Sequence, residues 1–191
     1  MSRSHLFRTS PPSWLALLVM VGMLAAFIAA PSPAQAASDA LQCAAFEDLT
    51  LGARYVVGNS FSSTLQFEVK PFKWLDGGDT RDGFVEVSNG LMAAGSGQEL
   101  TVNNARVRLL LPATATTPAI LGLGARFGEY GGNVNLLING ALQNVENLAA
   151  LDGMTIGGVV VSVTGGLGND AGELRLQGLI HEFEIGGQEF F

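Results

Sequence analysis

Apolar and polar residues alternate along much of this chain, with the period of two that is typical of half-buried β-strands. Residues 65–70 read Leu-Gln-Phe-Glu-Val-Lys, and residues 106–111 begin Arg-Val-Arg-Leu. Another strand is expected from Ile120. Helical spacing is almost absent, and the one plausible helical turn spans Val145 to Leu151, with Asn144 as its capping residue. The alternation predicts an all-β fold.

Turn residues punctuate these strands about every 8–12 residues, as in antiparallel sandwiches and barrels. Val134–Ile138 runs into Asn139-Gly140, the strongest short hairpin signal, because both residues tolerate a positive φ. Residues 155–163 are rich in β-branched side chains and predict one strand buried on both faces. Leu174 and Leu176 are apolar at even positions, whereas Phe183 and Ile185 are apolar at odd positions, so the side of the strand that faces the core changes near Gly178. This change predicts a β-bulge there.

The first 36 residues differ from the rest of the chain. Two arginines precede an apolar stretch of 17 residues, Trp14 to Ala30, which Pro31-Ser32-Pro33 ends. Ala34-Gln35-Ala36 supplies the small residues of a signal peptidase site. We therefore expect residues 1–36 to be a secretory signal peptide and residues 37–191 to be a single domain. An uncleaved membrane anchor is the alternative. The expected location is exported, either periplasmic or extracellular, with membrane contact only before cleavage.

Charge and cysteine content exclude several classes of protein. The full chain carries 17 acidic and 10 basic residues, and removal of residues 1–36 changes its formal charge from −7 to −9. This balance excludes a basic nucleic-acid binder. The only cysteine, Cys43, cannot form an internal disulfide. We expect it to be a buried small apolar residue, since free cysteine usually packs in a core.

Two loops carry residues that suit calcium. In residues 165–170, Gly-Gly-Leu-Gly-Asn-Asp matches half of a calcium-binding β-roll repeat, but only one copy exists, which favours a glycine turn. In residues 76–83, Asp76, Asp79 and Asp82 crowd a glycine-containing loop. Hard cations prefer such oxygens, although the spacing is not that of an EF-hand. The loop is either a solvated acidic turn or a structural calcium clip, and no other cofactor is expected.

Catalytic constellations are sparse in this sequence. After cleavage the single histidine is His181, which lies in a strand pattern next to Glu182, and no G-x-S-x-G motif is present. A pair of carboxylates for glycoside cleavage remains open, since β-sandwiches can bring two glutamates together. The candidates for such a pair are Glu129, Glu146, Glu182 and Glu184.

Sugar binding needs an aromatic ring beside amides and carboxylates. Residues 128–133 offer Glu129, Tyr130 and Asn133 before a strand, and Trp74 leads into the acidic loop. These four residues are the candidate ligand-binding set. The alternative is that both rings cap the core, where lone aromatic residues of small β-domains usually lie.

The segment from Cys43 to Phe61 reads CAAFEDLTLGARYVVGNSF. It resembles the opening of uncharacterised secreted bacterial β-sandwich domains, and the similarity continues through residues 71–72, 95–100, 128–133 and 185–189. Such domains are similar in outline to jelly-roll carbohydrate-binding modules, in which a Phe-Glu pair near the first strand helps to hold a structural calcium ion. The resemblance implies a jelly-roll-like antiparallel sandwich, with Glu47 as a calcium ligand and Asp48 as a further candidate. The acidic final strand of those modules has no counterpart in residues 188–191.

The leading hypothesis is an exported, non-catalytic module that binds a glycan or another extracellular ligand near Trp74 and Tyr130. Three alternatives stay open. The first is an enzyme that acts on polysaccharide with paired carboxylates, and the second is a structural surface or matrix protein. The third is a small outer-membrane barrel, which the shortage of Tyr and Trp argues against.

Overall fold

A computed structural model describes residues 42–80, 82–90, 92–95, 97–111, 119–188 and 191. The expected signal peptide, residues 1–36, lies outside the described residues. Within them the secondary structure consists of thirteen β-strands, arranged in three antiparallel sheets, and one 3₁₀ turn. No helix in the described ranges is long and apolar enough to cross a membrane. The prediction of an all-β, sandwich-like fold is confirmed.

The largest sheet has six strands and forms one layer of the fold. Its order is β2-β3-β6-β13-β8-β9. The bounds of these strands are β2 Ser60–Ser62, β3 Gln66–Pro71, β6 Ala105–Leu110, β8 Val134–Ile138, β9 Ala141–Val145 and β13 Phe183–Gly187. One face of the sheet points into the core. We call the opposite face, which carries Lys70, Arg106, Asn135 and Asn144 in register across four strands, the outer face.

The second layer consists of two smaller sheets. The three-stranded sheet, in the order β1-β4-β5, is built from β1 Arg54–Val56, β4 Phe84–Asn89 and β5 Gln98–Asn103. The four-stranded sheet, in the order β10-β11-β12-β7, is built from β7 Ile120–Glu129, β10 Thr155–Ile156, β11 Val159–Thr164 and β12 Asp170–Ile180. The terminal strands β5 and β7 of the two smaller sheets face each other, and β5 forms backbone hydrogen bonds with Phe191 through Val102.

Two apolar clusters hold the layers together. One joins the four-stranded sheet to β8 and β13 through side chains such as Leu136, Leu174 and Phe183. The other joins the three-stranded sheet to β3 and β6 through side chains such as Val69 and Val85. Residues 42–191 form one compact unit. The core therefore lies on the inner face of the six-stranded sheet along its whole width.

Several local predictions are confirmed. The strands predicted from residues 65, 106, 120 and 134 are β3, β6, β7 and β8. Asn139 and Gly140 join β8 to β9 with φ angles of 50° and 80°, as a tight hairpin requires. The register of β12 against β7 shifts between Gln177 and Ile180, so the predicted bulge at Gly178 is present.

Three local predictions are wrong. Residues 155–163 do not form one strand, because Gly157 and Gly158 take positive φ angles and turn the chain between β10 and β11. In β11 burial then alternates, which leaves Val160 exposed. The helical turn is a 3₁₀ turn limited to Leu148–Leu151 and preceded by Asn147, not Asn144.

The third wrong prediction concerns Cys43, which is exposed. It lies before β1 in a segment without regular structure, and the neighbouring Ala44 and Phe46 pack against the core in its place. The apolar side chains on either side of Ala45 therefore contact the core, and Cys43 is left in solvent.

Candidate functional site

The segment Phe72–Thr80, which we call the Trp74 lobe, leaves the end of β3 and folds back on itself. Its backbone closes with hydrogen bonds from Trp74 N to Gly78 O (2.9 Å) and from Thr80 N to Phe72 O (3.0 Å). An ion pair of 2.6 Å joins Lys73 Nζ to Asp79 Oδ1 across the lobe. The lobe is therefore an ordered hairpin-like structure rather than an open acidic loop.

Trp74 lies in this lobe on a rigid apolar base. Its ring packs edge-on against Phe72, with 5.2 Å between the ring centroids and an interplanar angle of 74°. Phe72 is fully buried, whereas Trp74 is only half-buried. Because the buried ring fixes the orientation of the partly exposed one, Trp74 presents a preformed aromatic surface to solvent.

Asparagine side chains attach the lobe to the outer face of the six-stranded sheet. Asn135 accepts a hydrogen bond from Lys73 N (2.8 Å) and donates one to Lys73 O (3.1 Å). Asn144 also donates to Lys73 O (2.7 Å) and in turn accepts from Asn133 Nδ2 (2.7 Å). Asn133 and Trp74, both members of the predicted set, therefore belong to one hydrogen-bonded region.

A buried ion pair lies on the same face. Arg106 Nη1 is 3.0 Å from Glu184 Oε2, and both side chains are almost fully buried. The contact is an ion pair without hydrogen-bond geometry, because neither atom has a hydrogen-bond partner. Desolvation by burial raises the pKa of Glu184 and lowers the pKa of Arg106, against the attraction between them. Arg106 Nε also donates to Pro71 O (2.9 Å), which holds the start of the lobe.

Tyr130 and Glu129 lie elsewhere. The Tyr130 hydroxyl donates to Met92 O (3.0 Å), in the connection between β4 and β5. Among the described residues, no hydrogen bond or ring contact joins Tyr130 to Trp74. Both rings are half-buried. Of the four predicted residues, the hydrogen bonds through Asn144 connect only Asn133 to the segment that carries Trp74.

Glu129 is buried at the end of β7, with 2% of its surface exposed. Its Oε2 accepts a hydrogen bond from Leu148 N (3.0 Å), and its Oε1 has no hydrogen-bond partner. Desolvation raises the pKa of Glu129, and the nearby Asp170 and Glu146 carboxylates raise it further against the Leu148 bond. Glu129 therefore stabilises the 3₁₀ turn from within the fold. Its raised pKa favours the protonated form of the carboxyl group.

The four residues predicted for calcium do not converge. Asp79 pairs with Lys73, and Asp76 accepts a hydrogen bond from Gly78 N (2.9 Å) within the lobe. Asp82 is exposed beyond it. Glu47 lies apart from the lobe and accepts from Gln98 N (2.7 Å) at the start of β5. In the part of the chain that the structure describes, no group of three or more His, Cys, Asp or Glu side chains is arranged to hold a metal ion.

The glycine segment at residues 165–170 forms the turn between β11 and β12. Gly165, Gly166 and Gly168 have positive φ angles, and Leu167 N donates to Asp170 Oδ1 (2.9 Å). Asp170 thus closes the turn. His181 is exposed in the turn between β12 and β13, where its backbone N donates to Asn139 Oδ1 (2.8 Å).

Sequence reasoning missed Lys73, Asn135 and Asn144, which connect the lobe to the sheet. Asn135 carries a signal that could have been used, since it is a polar residue inside the apolar strand β8 and is completely buried. A buried amide needs hydrogen-bond partners, so it marks a place where another backbone approaches the sheet.

Comparison with known proteins adds no identification. No family model matches the chain, and neither the curated proteins nor the solved structures contain a significant match to it.

Proposed function

We propose that this chain is an exported, non-catalytic binding module that holds a glycan on the Trp74 lobe. The observation that carries the proposal is the half-buried Trp74 ring, which the buried Phe72 ring fixes in place. A sugar ring offers an apolar C–H face that packs on an aromatic surface. A ring that is already ordered loses little conformational entropy when it binds such a face.

Polar groups around the ring match the hydroxyl groups of a sugar. The Lys73 ammonium and the Asp79 carboxylate are partly exposed beside Trp74, with 35% and 44% of their side chains accessible. Asn133 and Asn144 continue the polar surface. The proposal keeps Trp74 and Asn133 from the predicted set and adds Lys73 and Asp79, while Glu129 and Tyr130 support the fold.

The export of the chain, its jelly-roll-like connectivity and its lack of catalytic activity are parts of the same proposal. The resemblance of residues 43–61 to secreted β-sandwich domains supports the first two. The engagement of Glu182 and Glu184 supports the third, because Arg108 and Arg106 already hold these two carboxylates and the Glu184 side chain is almost fully buried.

A panel of soluble polysaccharides tests the proposal. Binding is measured by affinity electrophoresis and by quenching of Trp74 fluorescence. We expect Trp74→Ala to weaken binding about ten-fold or more, as truncation of an aromatic anchor does. Trp74→Phe should retain part of the affinity. Tyr130→Phe is the matched control, since it removes a hydroxyl that bonds to Met92 O and not to the lobe, and should bind as the wild type does.

Three outcomes would count against this function. Unchanged binding by Trp74→Ala would place the ligand elsewhere. Release of sugar products that stops in Glu129→Gln would favour the polysaccharide-acting enzyme. No binding across the panel together with self-association of the protein would favour the structural matrix protein.

A further inference from the structure

An apolar cleft lies between the two smaller sheets. It has a volume of about 200 Å³ and is lined by the edge strands β5 and β7, through residues such as Val102 and Phe127. Its floor is the inner face of the six-stranded sheet, at Leu109 and Ile185. Because the second layer is divided into two sheets, their facing edges leave a gap. Phe191 enters this gap, where it bonds to Val102 of β5 and stacks on Phe127 of β7, and the cleft is the space that remains.

The mouth of the cleft is polar. A shallow depression of about 430 Å³ shares Ala93 and Arg126 with the cleft and is lined further by Thr164 and Glu173. Ala93 and Arg126 therefore lie between the apolar interior of the cleft and the polar surface of the depression.

Arg126 is the cation at this junction. It is exposed, and it takes part in none of the ion pairs among the described residues. The two carboxylates nearby are already engaged. Glu99 accepts hydrogen bonds from Met92 N and Ala93 N (both 3.1 Å), and Glu173 pairs with Arg175 (2.9 Å). The Arg126 guanidinium is therefore available to an incoming anion.

We propose that this cleft binds one single-chain fatty carboxylate, with its acyl chain between the two smaller sheets and its carboxylate on Arg126. An apolar cavity of about 150 Å³ holds one benzene molecule. The slightly larger space here suits a medium-length acyl chain, and the guanidinium matches the geometry of a carboxylate. This site is distinct from the Trp74 lobe, on the opposite face of the six-stranded sheet.

Calorimetric titration of the whole protein with octanoate, decanoate and dodecanoate, each below its critical micelle concentration, tests the proposal. We expect one ligand to bind per chain. Affinity should rise about four-fold for each added methylene until the cleft is full, and then stop rising. Arg126→Gln should weaken decanoate binding about ten-fold and leave binding of decan-1-ol, which has no charge, unchanged.

A second variant tests whether the acyl chain lies in the cleft. Ala125→Leu adds three carbons to the cleft lining and should shorten the longest chain that still gains affinity by about that amount. Trp74→Ala is the matched control and should leave decanoate binding unchanged, which also separates this site from the proposed glycan site.

Four results would contradict binding of a fatty carboxylate in the cleft. Absence of decanoate binding to the folded wild-type protein would overturn it, as would affinity that does not depend on chain length. Equal binding by wild type and a folded Ala125→Leu would place the acyl chain outside the cleft. Equal loss of decanoate and decanol binding in Arg126→Gln would remove Arg126 as the carboxylate partner.

Discussion

The Glu129 carboxylate accepts a hydrogen bond from the backbone N–H of Leu148, 3.0 Å away, and so joins the end of β7 to the 3₁₀ turn that follows β9. This bond crosses from the four-stranded sheet to a connection that leaves the six-stranded sheet. It supplies the cap that Asn147 does not, since the side chain of Asn147 makes no capping hydrogen bond. The turn is therefore held by a residue from another strand.

The raised pKa of Glu129 makes stability depend on pH. Its ordinary value is 4.5, and burial raises it in the folded protein. Between these two values the folded protein binds more protons than the unfolded chain, so this contribution is complete below about pH 4.5 and is lost as pH rises through the folded pKa. In Glu129→Gln the contribution is absent.

The free energy of unfolding of Glu129→Gln, minus that of the wild type, should therefore increase with pH above about 4.5. The slope should not exceed about 1.4 kcal/mol per pH unit, the limit for one proton. Urea unfolding at several pH values measures it. The difference at acid pH gives the packing cost of the amide alone. A difference that stays flat across the range would contradict the raised pKa.

The buried ion pair between Arg106 and Glu184 gives a second prediction. Arg106→Met removes the nearer cation from the buried Glu184 carboxylate and leaves only Arg108, whose Nε is 3.8 Å from Glu184 Oε1. We expect the free energy of unfolding to fall by up to about 3–5 kcal/mol at neutral pH. The double variant Arg106→Met with Glu184→Leu should recover most of this loss, because it buries no charge. Urea unfolding measures both variants.

The matched control for this pair is the exposed pair of Arg175 and Glu173. Their side chains are 68% and 42% accessible, and solvent screens their attraction. Arg175→Met should therefore change stability by less than about 1 kcal/mol. A single Arg106→Met variant as stable as the double variant would show that Glu184 does not need Arg106 at this site.

The parts of the fold that depend on local chemistry could be predicted from the sequence. Asn139-Gly140 specifies its turn through the backbone freedom of two adjacent residues, and the bulge at Gly178 follows from a change of phase within one strand. Gly157-Gly158 carried a comparable turn signal, but the valines that follow it suggested one continuous strand. A two-glycine turn outweighs β-propensity, because both residues there take positive φ.

The candidate site depends on contacts that no local pattern contains. Alternation along β6 assigns Arg106 to solvent, and it does lie on the outer face, but the chain after Pro71 returns over that face and buries it. Trp74 and Asn133 belong to one region only because residues 73 and 144 meet across the sheet. A single sequence shows the residue types for such a site but not which of them converge.

Asn139 provides a third prediction, because its side chain connects three turns. Its Nδ2 donates to Gly157 O (2.8 Å) and to Leu179 O (2.9 Å), while its Oδ1 accepts from His181 N (2.8 Å) and from Glu182 N (3.2 Å). Asn139→Gly keeps the positive φ and removes all four bonds. We expect it to lower the free energy of unfolding by about 2–4 kcal/mol.

Gly140→Ala separates this effect from backbone strain. No atom lies within 4 Å of the position that a Cβ would take at Gly140, so its φ of 80° is the only cost of the substitution. We expect about 1 kcal/mol. Thermal and urea unfolding of both variants compare the two costs, and a smaller loss for Asn139→Gly than for Gly140→Ala would show that the side-chain bonds contribute little.

The fourth prediction concerns calcium at the Trp74 lobe. Because the Lys73 ammonium already lies 2.6 Å from Asp79, a calcium ion there must displace a cation that the protein itself supplies. We expect millimolar calcium to leave the melting temperature of the wild type unchanged, which is the result expected of a solvated acidic turn rather than of a calcium clip. In Lys73→Met the uncompensated Asp76 and Asp79 carboxylates should bind calcium weakly, and calcium should then raise the melting temperature. A rise in the wild type that Asp79→Ala abolishes would instead support the structural calcium clip, with Asp79 exchanging Lys73 for the ion.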